Sequence, residues 1–219
     1  MSKLVNEFED IGIFFELENL RLHCGFTKDI LEKEQSDFKK RVDTKVESLT
    51  GSARENYLEW LTDNHFYLFN VFPSLQWLSL FNTAYSMFEK NMNYICRLAE
   101  IKTKSNFKLK DLNGQGIRRA KLYLKKVANI EKPFVGLEWK EITEYAALRN
   151  VMAHATGELD LSRDDHKKVL DFARQRSNIE IIYHNGNSEF PEIRLGPDIV
   201  FESIQNYIDF LRLLSRQDL

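Results

Sequence analysis

Apolar residues along this 219-residue chain recur mostly at spacings of three and four, the signature of helices that bury one face. Residues 5–22 and 28–49 read as two such helices. The second is heavily charged, and Ile30, Leu31, Phe38, Val42, Val46 and Leu49 give it the narrow apolar stripe of an arm packed on one side only. "TGS" at 50–52 breaks the pattern, and Ser52 is placed to cap a following helix that reaches about Phe69. Pro73 fits the first turn of a long helix, with Leu75, Leu78, Phe81, Tyr85, Phe88, Met92, Ile95 and Ala99 at helical spacing. A basic loop at 102–113 and "NGQG" follow. The next helix, about 116–130, has Ile117, Ala120, Leu124, Val127 and Ala128 on its apolar side. After the turn "EKPFVG", a helix starts at Leu137 and runs into "LRNVMAHATG" at 148–157. Ser162 is placed to cap a further helix, and "IEIIYHNGNSEFPEIRL" alternates around "NGN" as a hairpin does. A last helix spans about 198–215. The expected fold is an all-α helical bundle over 73–219, with an N-terminal helical extension over 1–72 and a small β-hairpin before the C-terminal helix.

Composition agrees with long helices around one core. The chain is 43% hydrophobic with 16 Phe, 8 Tyr and 3 Trp, which excludes wholesale disorder, and only 4 Pro and 9 Gly interrupt it. No apolar run approaches the length of a membrane span, so no membrane association is expected. The N-terminal "MSKLVNEFEDIG" carries no secretory or transit pattern, and Cys24 and Cys96 suit neither a metal site nor a disulfide framework. Reduced thiols in a cytoplasmic protein are the expectation. His23, His65 and His184 have no companions at metal-ligand spacing, and His166 in "SRDDHKK" reads as an exposed helix position. Neither a metal nor a cofactor is expected, because Walker loop, dinucleotide fingerprint and nucleophile elbow are all missing from the sequence.

The formal net charge of −2 hides a division. Residues 102–126 hold nine basic side chains against Asp111 alone, so this segment carries +8 and the rest of the chain −10. Arg118, Arg119, Lys121, Lys125 and Lys126 fall opposite the apolar side of their helix, where they could track RNA phosphates or form a solvated face. Phe107 and Tyr123 lie in the same region; packing is expected of them before base stacking. Glu89, in "MFEKN", is expected to be an exposed charge, with a role facing the motif helix as the alternative.

"LRNVMAHATG" has two explanations. As a stop signal, Arg149 and His154 complement the negative end of the helix dipole and Gly157 supplies the left-handed C-terminal residue. Chance alone gives roughly 0.3 Arg–His pairs at this spacing in such a composition, and roughly 0.02 once Asn must follow the Arg. Helical geometry adds a second feature. Tyr145, Leu148 and Met152 share the core side, whereas Asn150 and His154, four apart, stack on a different face with Thr143 and Ala147. A histidine that moves protons and an arginine that holds a phosphate suit RNA cleavage without a metal. One histidine per chain is short for two-sided acid–base work, but a symmetric dimer brings two.

Arg149-Asn150-(x3)-His154, late in a helix that follows a helical hairpin, resembles the R-x(4-6)-H signature of HEPN domains (higher eukaryotes and prokaryotes nucleotide-binding). The similarity covers roughly residues 73–215. It implies a bundle that dimerises through its motif helices and a metal-independent endoribonuclease cleft at that interface, often leaving a cyclic phosphate. Arg149 and His154 would be the catalytic pair, with Asn150 orienting them. It also implies a toxin or antiphage defence setting, with a possible antitoxin or defence-system partner. Some toxins of this family carry a tyrosine two residues after the histidine; here that position is Thr156, so no nucleotidyltransferase partner is expected. The competing expectations are a non-catalytic helical module that binds RNA or a protein through its basic helix, and a purely structural domain in which His154 only ends a helix.

Overall fold

The computed structural model describes residues 12–183 and 189–217. The fold is all-α with a small antiparallel hairpin before the C-terminal helix, as the hydrophobic pattern predicts. Helix boundaries depart from expectation in informative places. Where two helices were expected, α1 (Ile13–Ser48) runs unbroken through Gly25. A helical glycine costs about 1 kcal/mol relative to alanine. Burial of Ile13, Leu17, Leu20 and Cys24 against the bundle outweighs it.

Next, α2 (Gly51–Phe66) starts from Thr50 rather than Ser52, and no side chain caps it. A π-helical turn, Tyr67–Val71, then leads straight into α3 (Phe72–Thr103), so the expected interruption is a continuous rod. Pro73 accounts for the widened turn. It has no N–H for the carbonyl four residues back, and its ring crowds that carbonyl. The Phe72 N–H accordingly bonds five residues back, to the Tyr67 carbonyl. After a short 3-10 turn, Leu109–Asp111, come α4 (Gly116–Lys126), which ends short of 130, and α5 (Leu137–Ala155). Then follow α6 (Asp164–Arg174), β1 (Ile179–Ile182), β2 (Glu192–Leu195) and α7 (Pro197–Ser215). Ser162 does not cap α6: Arg163 holds the cap position, and the Ser162 N–H and hydroxyl donate to Asp160 Oδ1 at 2.9 and 2.6 Å. The strands pair antiparallel, Ile179 opposite Leu195 and Ile181 opposite Ile193. The expected turn at 185–187 and His184 lie outside the described residues.

The core forms where α3, α5 and α7 meet. Tyr123, Tyr145 and Tyr207 are fully buried, and the Tyr207 ring stacks on Phe88 with centroids 4.5 Å apart. Because residues from Ile13 to Cys24 belong to this core, the bundle takes in the start of α1, which a boundary at residue 72 assigns to the extension. The arm proper is the far part of α1 with α2. Phe38, Phe69 and His65 hold it together, the last two rings stacked at 4.3 Å. His65 is thus an aromatic packing residue.

Candidate functional site: a polar cleft beside α5

Ile142, Tyr145, Leu148 and Met152 anchor α5 in the core, as the helical wheel predicts. Its end is fixed twice. Thr156 and then Gly157 take left-handed backbone conformations, with φ of 48° and 96°. Gly157 is also a contact point: a Cβ there would lie 2.4 Å from the Ile193 carbonyl oxygen, while the Ile193 N–H donates to the Gly157 carbonyl at 2.8 Å. The stop signal therefore docks α5 onto β2.

Ahead of this dock, Thr143, Asn150, Ala153 and His154 form an exposed ridge. Arg149 sits at its margin, half-buried. Its guanidinium carbon is 5.2 Å from the centre of the Tyr85 ring, and Nη1 donates to Asn150 Oδ1 at 3.3 Å. Nε is buried without a partner, and no carboxylate among the described residues lies within ion-pair distance of the side chain. The surrounding charges act on Tyr85. Burial pushes its phenol up to about 12, Glu89 adds to the shift, and Arg149 opposes it.

Arg149, Asn150 and His154 open onto one cleft of about 1010 Å³. α3 contributes Tyr85 and Glu89, the start of α4 contributes Gly114 to Arg118, and α6 contributes His166. Arg149 also borders a second groove, about 1160 Å³, that lies over α3 beside α1. Glu89 is not the exposed charge expected of it: it is half-buried, its carboxylate 3.5 Å from where a Cβ of Gly116 would stand.

His166 corrects the sequence expectation more sharply. It is buried, with 7% of its surface exposed, and Nδ1 accepts the Asp160 N–H at 2.9 Å. The signal was present in the sequence. Val169, Leu170 and Ala173 follow it at three, four and seven residues, so it begins the buried face of α6. Its neighbour Arg163 pairs with Asp165 through two bonds of 3.2 and 2.7 Å at the surface.

The five basic residues of α4 do not form one free stripe. Arg118 and Lys126 are exposed, and Arg118 lines the cleft. Arg119 is half-buried with Nε unpartnered, and Lys125 lies 4.0 Å from Glu131. Lys121 covers Trp139 and Phe134, with Nζ 5.0 and 5.8 Å from the ring centres; burial lowers its pKa and Lys125 adds to the effect. Tyr123 packs in the core and donates to the Phe107 carbonyl at 3.1 Å. Both cysteines are free and buried, and burial raises Cys24 to about 11 and Cys96 to about 12, which makes them poor nucleophiles. Among the described residues no group of three or more His, Cys, Asp or Glu side chains is placed to hold a metal ion. None of their helices is long and apolar enough to cross a membrane.

Fold and cleft define the class: a helical bundle with a polar cleft beside its α5 helix. Comparison with family models, curated proteins and solved structures finds no match to this chain.

Proposed function

We propose that this chain is a metal-independent endoribonuclease of the HEPN type, cleaving RNA in the cleft beside α5, with two copies pairing through the ridge of that helix. The observation that carries the reading is the convergence of Arg149, Asn150 and His154 on one cleft, with Arg118 also lining it. Arg149 has the form of a phosphate clamp: its guanidinium is steadied by Tyr85 and Asn150, and among the described residues its charge is not spent on a carboxylate. In the reaction the RNA 2′-oxygen attacks the adjacent phosphorus, its proton passes to one imidazole, and the departing 5′-oxygen takes a proton from another. A symmetric pair of chains supplies both imidazoles, one from His154 of each copy. The products are a 2′,3′-cyclic phosphate and a 5′-hydroxyl. A toxin or antiphage defence setting, and a cytoplasmic location, belong to the same reading.

The test is cleavage of single-stranded RNA and tRNA, with EDTA present, by the wild type and by Arg149→Ala and His154→Ala. Each substitution should lower the rate by roughly 10²–10³-fold. Unchanged cleavage by both folded variants, or cleavage that requires added metal, would overturn the reading. A second reading, a binding module without turnover, draws on the exposure of Arg118 and Lys126. It predicts RNA binding that is weakened by Arg118→Ala and Lys126→Ala and indifferent to His154→Ala.

A further inference from the structure

We propose that the cleft contains a phosphate cradle, distinct from the Arg149–His154 pair and built from the N-terminus of α4 and the Nε2 edge of His166. Two independent observations meet there. The first is the start of α4. The "NGQG" loop brings Gly114 and Gly116 into left-handed conformations, with φ of 101° and 60°, and turns the helix N-terminus toward the cleft. No side chain caps this end and no acidic residue stands in its first turn. The N–H groups of Gly116, Ile117 and Arg118 have no protein acceptor among the described residues. Free N–H groups at the positive end of a helix dipole bind anions.

The second observation is His166. More than nine-tenths of this side chain is buried. Its Nδ1 accepts the Asp160 N–H, so the proton of the neutral ring sits on Nε2. Nε2 has no protein partner among the described residues and is not sealed in the core, and His166 lines the same cleft as the start of α4. His166 is thus held by one nitrogen at the wall of a polar cleft, and its other nitrogen is free for an acceptor.

Charge agrees with an anion. Arg163 and Asp165 offset each other, and Arg118 and Arg149 outnumber Glu89 among the remaining charges of the cleft. The Glu89 carboxylate lies against Gly116 without hydrogen-bonding to it, so the N–H groups of the helix end stay unpaired among the described residues. The ligand is a phosphate group, held by backbone N–H donors, Nε2–H and Arg118. Its source is a phosphodiester of the RNA strand, one that neighbours the scissile bond. That source rests on the cleavage reading above; the cradle does not.

Two probes separate these claims. The first is inorganic phosphate, followed through the backbone amide resonances of Gly116, Ile117 and Arg118. The second is a short 2′-O-methylated oligoribonucleotide, which lacks the attacking hydroxyl and reports binding without turnover. The variant is His166→Asn. Its amide oxygen can still accept the Asp160 N–H, but it has no donor at the Nε2 position. Both probes should bind the wild type, phosphate shifting the three amides, and His166→Asn should weaken both by roughly tenfold. Should that variant melt early, Arg118→Gln replaces it, with roughly threefold weakening expected. Silent amides in the wild type, or unchanged affinities in the folded variant, overturn the cradle. Weakened phosphate binding with unaltered oligonucleotide binding keeps the cradle and overturns the strand as its source. Intact cradle binding in a wild type that never cleaves RNA removes the ribonuclease reading and leaves the cradle standing.

Discussion

Arg149 and Arg176 invite comparison, because both lay a guanidinium over core tyrosines and only one is tied down. Arg176 covers Phe172 and Tyr145, its guanidinium carbon 4.5 and 5.8 Å from the ring centres. It bonds to Glu202 through Nη1 and to Glu141 through Nη2 at 3.2 Å. The carboxylates are satisfied in turn. Asn178 donates to Glu202 at 2.8 Å, Asn206 to Glu141 at 2.6 Å, and Tyr145 to Glu202 at 3.0 Å. Around Arg149 the same ring contact exists, but its hydrogen-bond partner is one neutral amide, and the side chain opens onto two grooves. This network of ion pairs and amide donors fixes α5, α7 and the segment before β1 to one another. Among the described residues Arg149 is held only by a ring and an amide, and its charge is not neutralised by a carboxylate.

Removing each guanidinium is the strongest way to break the comparison. Arg149→Ala should lower RNA cleavage by roughly 10²–10³-fold while moving the urea midpoint little, since no carboxylate among the described residues is orphaned. Arg176→Ala should do the reverse. It leaves Glu202 and Glu141 without their cation, which destabilises the fold by roughly 2–3 kcal/mol after allowance for their partial exposure. Its folded fraction should cleave at the wild-type rate. Equal stability loss in both variants would erase the distinction.

A smaller effect sharpens it. Gly157→Ala puts a Cβ against the Ile193 carbonyl at a left-handed backbone position, and should cost about 2 kcal/mol. The damage begins where α5 docks on β2, so hydrogen exchange should speed up first at the Ile193 amide, which bonds to Gly157. Exchange that accelerates uniformly through the bundle would mean that Gly157 is only a turn.

Much of this architecture was readable before the structure. The core face of α5, the long α3, the hairpin and the last helix follow from spacing alone, because in each the apolar periodicity and the end signals agree. What resisted sequence reading depended on neighbours that the sequence does not name. The expected gap between residues 22 and 28 does not exist, because the weak helix propensity of Gly25 is local, whereas the burial that overrides it comes from α3 and α7. Lys121 looked like part of a basic stripe because a helical wheel cannot place Trp139 and Phe134 beneath its ammonium. Glu89 and His166 joined the cleft through tertiary packing. For His166 the apolar positions that follow it pointed inward, but the charged run "SRDDHKK" obscured them. Arg149, Asn150 and His154 were readable together because one helix carries all three.

The mildest probe of the comparison is Tyr85→Phe. Phenylalanine keeps a ring beneath Arg149, and the Tyr85 hydroxyl makes no hydrogen bond among the described residues. Cleavage at neutral pH should therefore change by less than about twofold, and stability by about 0.5 kcal/mol or less. The difference should emerge in alkali. The folded state raises the phenol from its ordinary 10 to about 12, chiefly by burying it. A raised pKa means that the folded protein holds the proton more tightly than the unfolded chain does. The associated stability is complete below pH 10 and is lost as pH rises from 10 toward 12. Tyr145 and Tyr207 are raised in the same direction by burial and are present in both proteins; Tyr85 adds to the Tyr207 shift, so the variant removes that contribution together with its own. Urea midpoints at pH 9 and pH 11 should fall less for Tyr85→Phe than for the wild type. Parallel declines would mean that water reaches the phenol, and that Arg149 rests on a wetter platform than its contact with the ring implies.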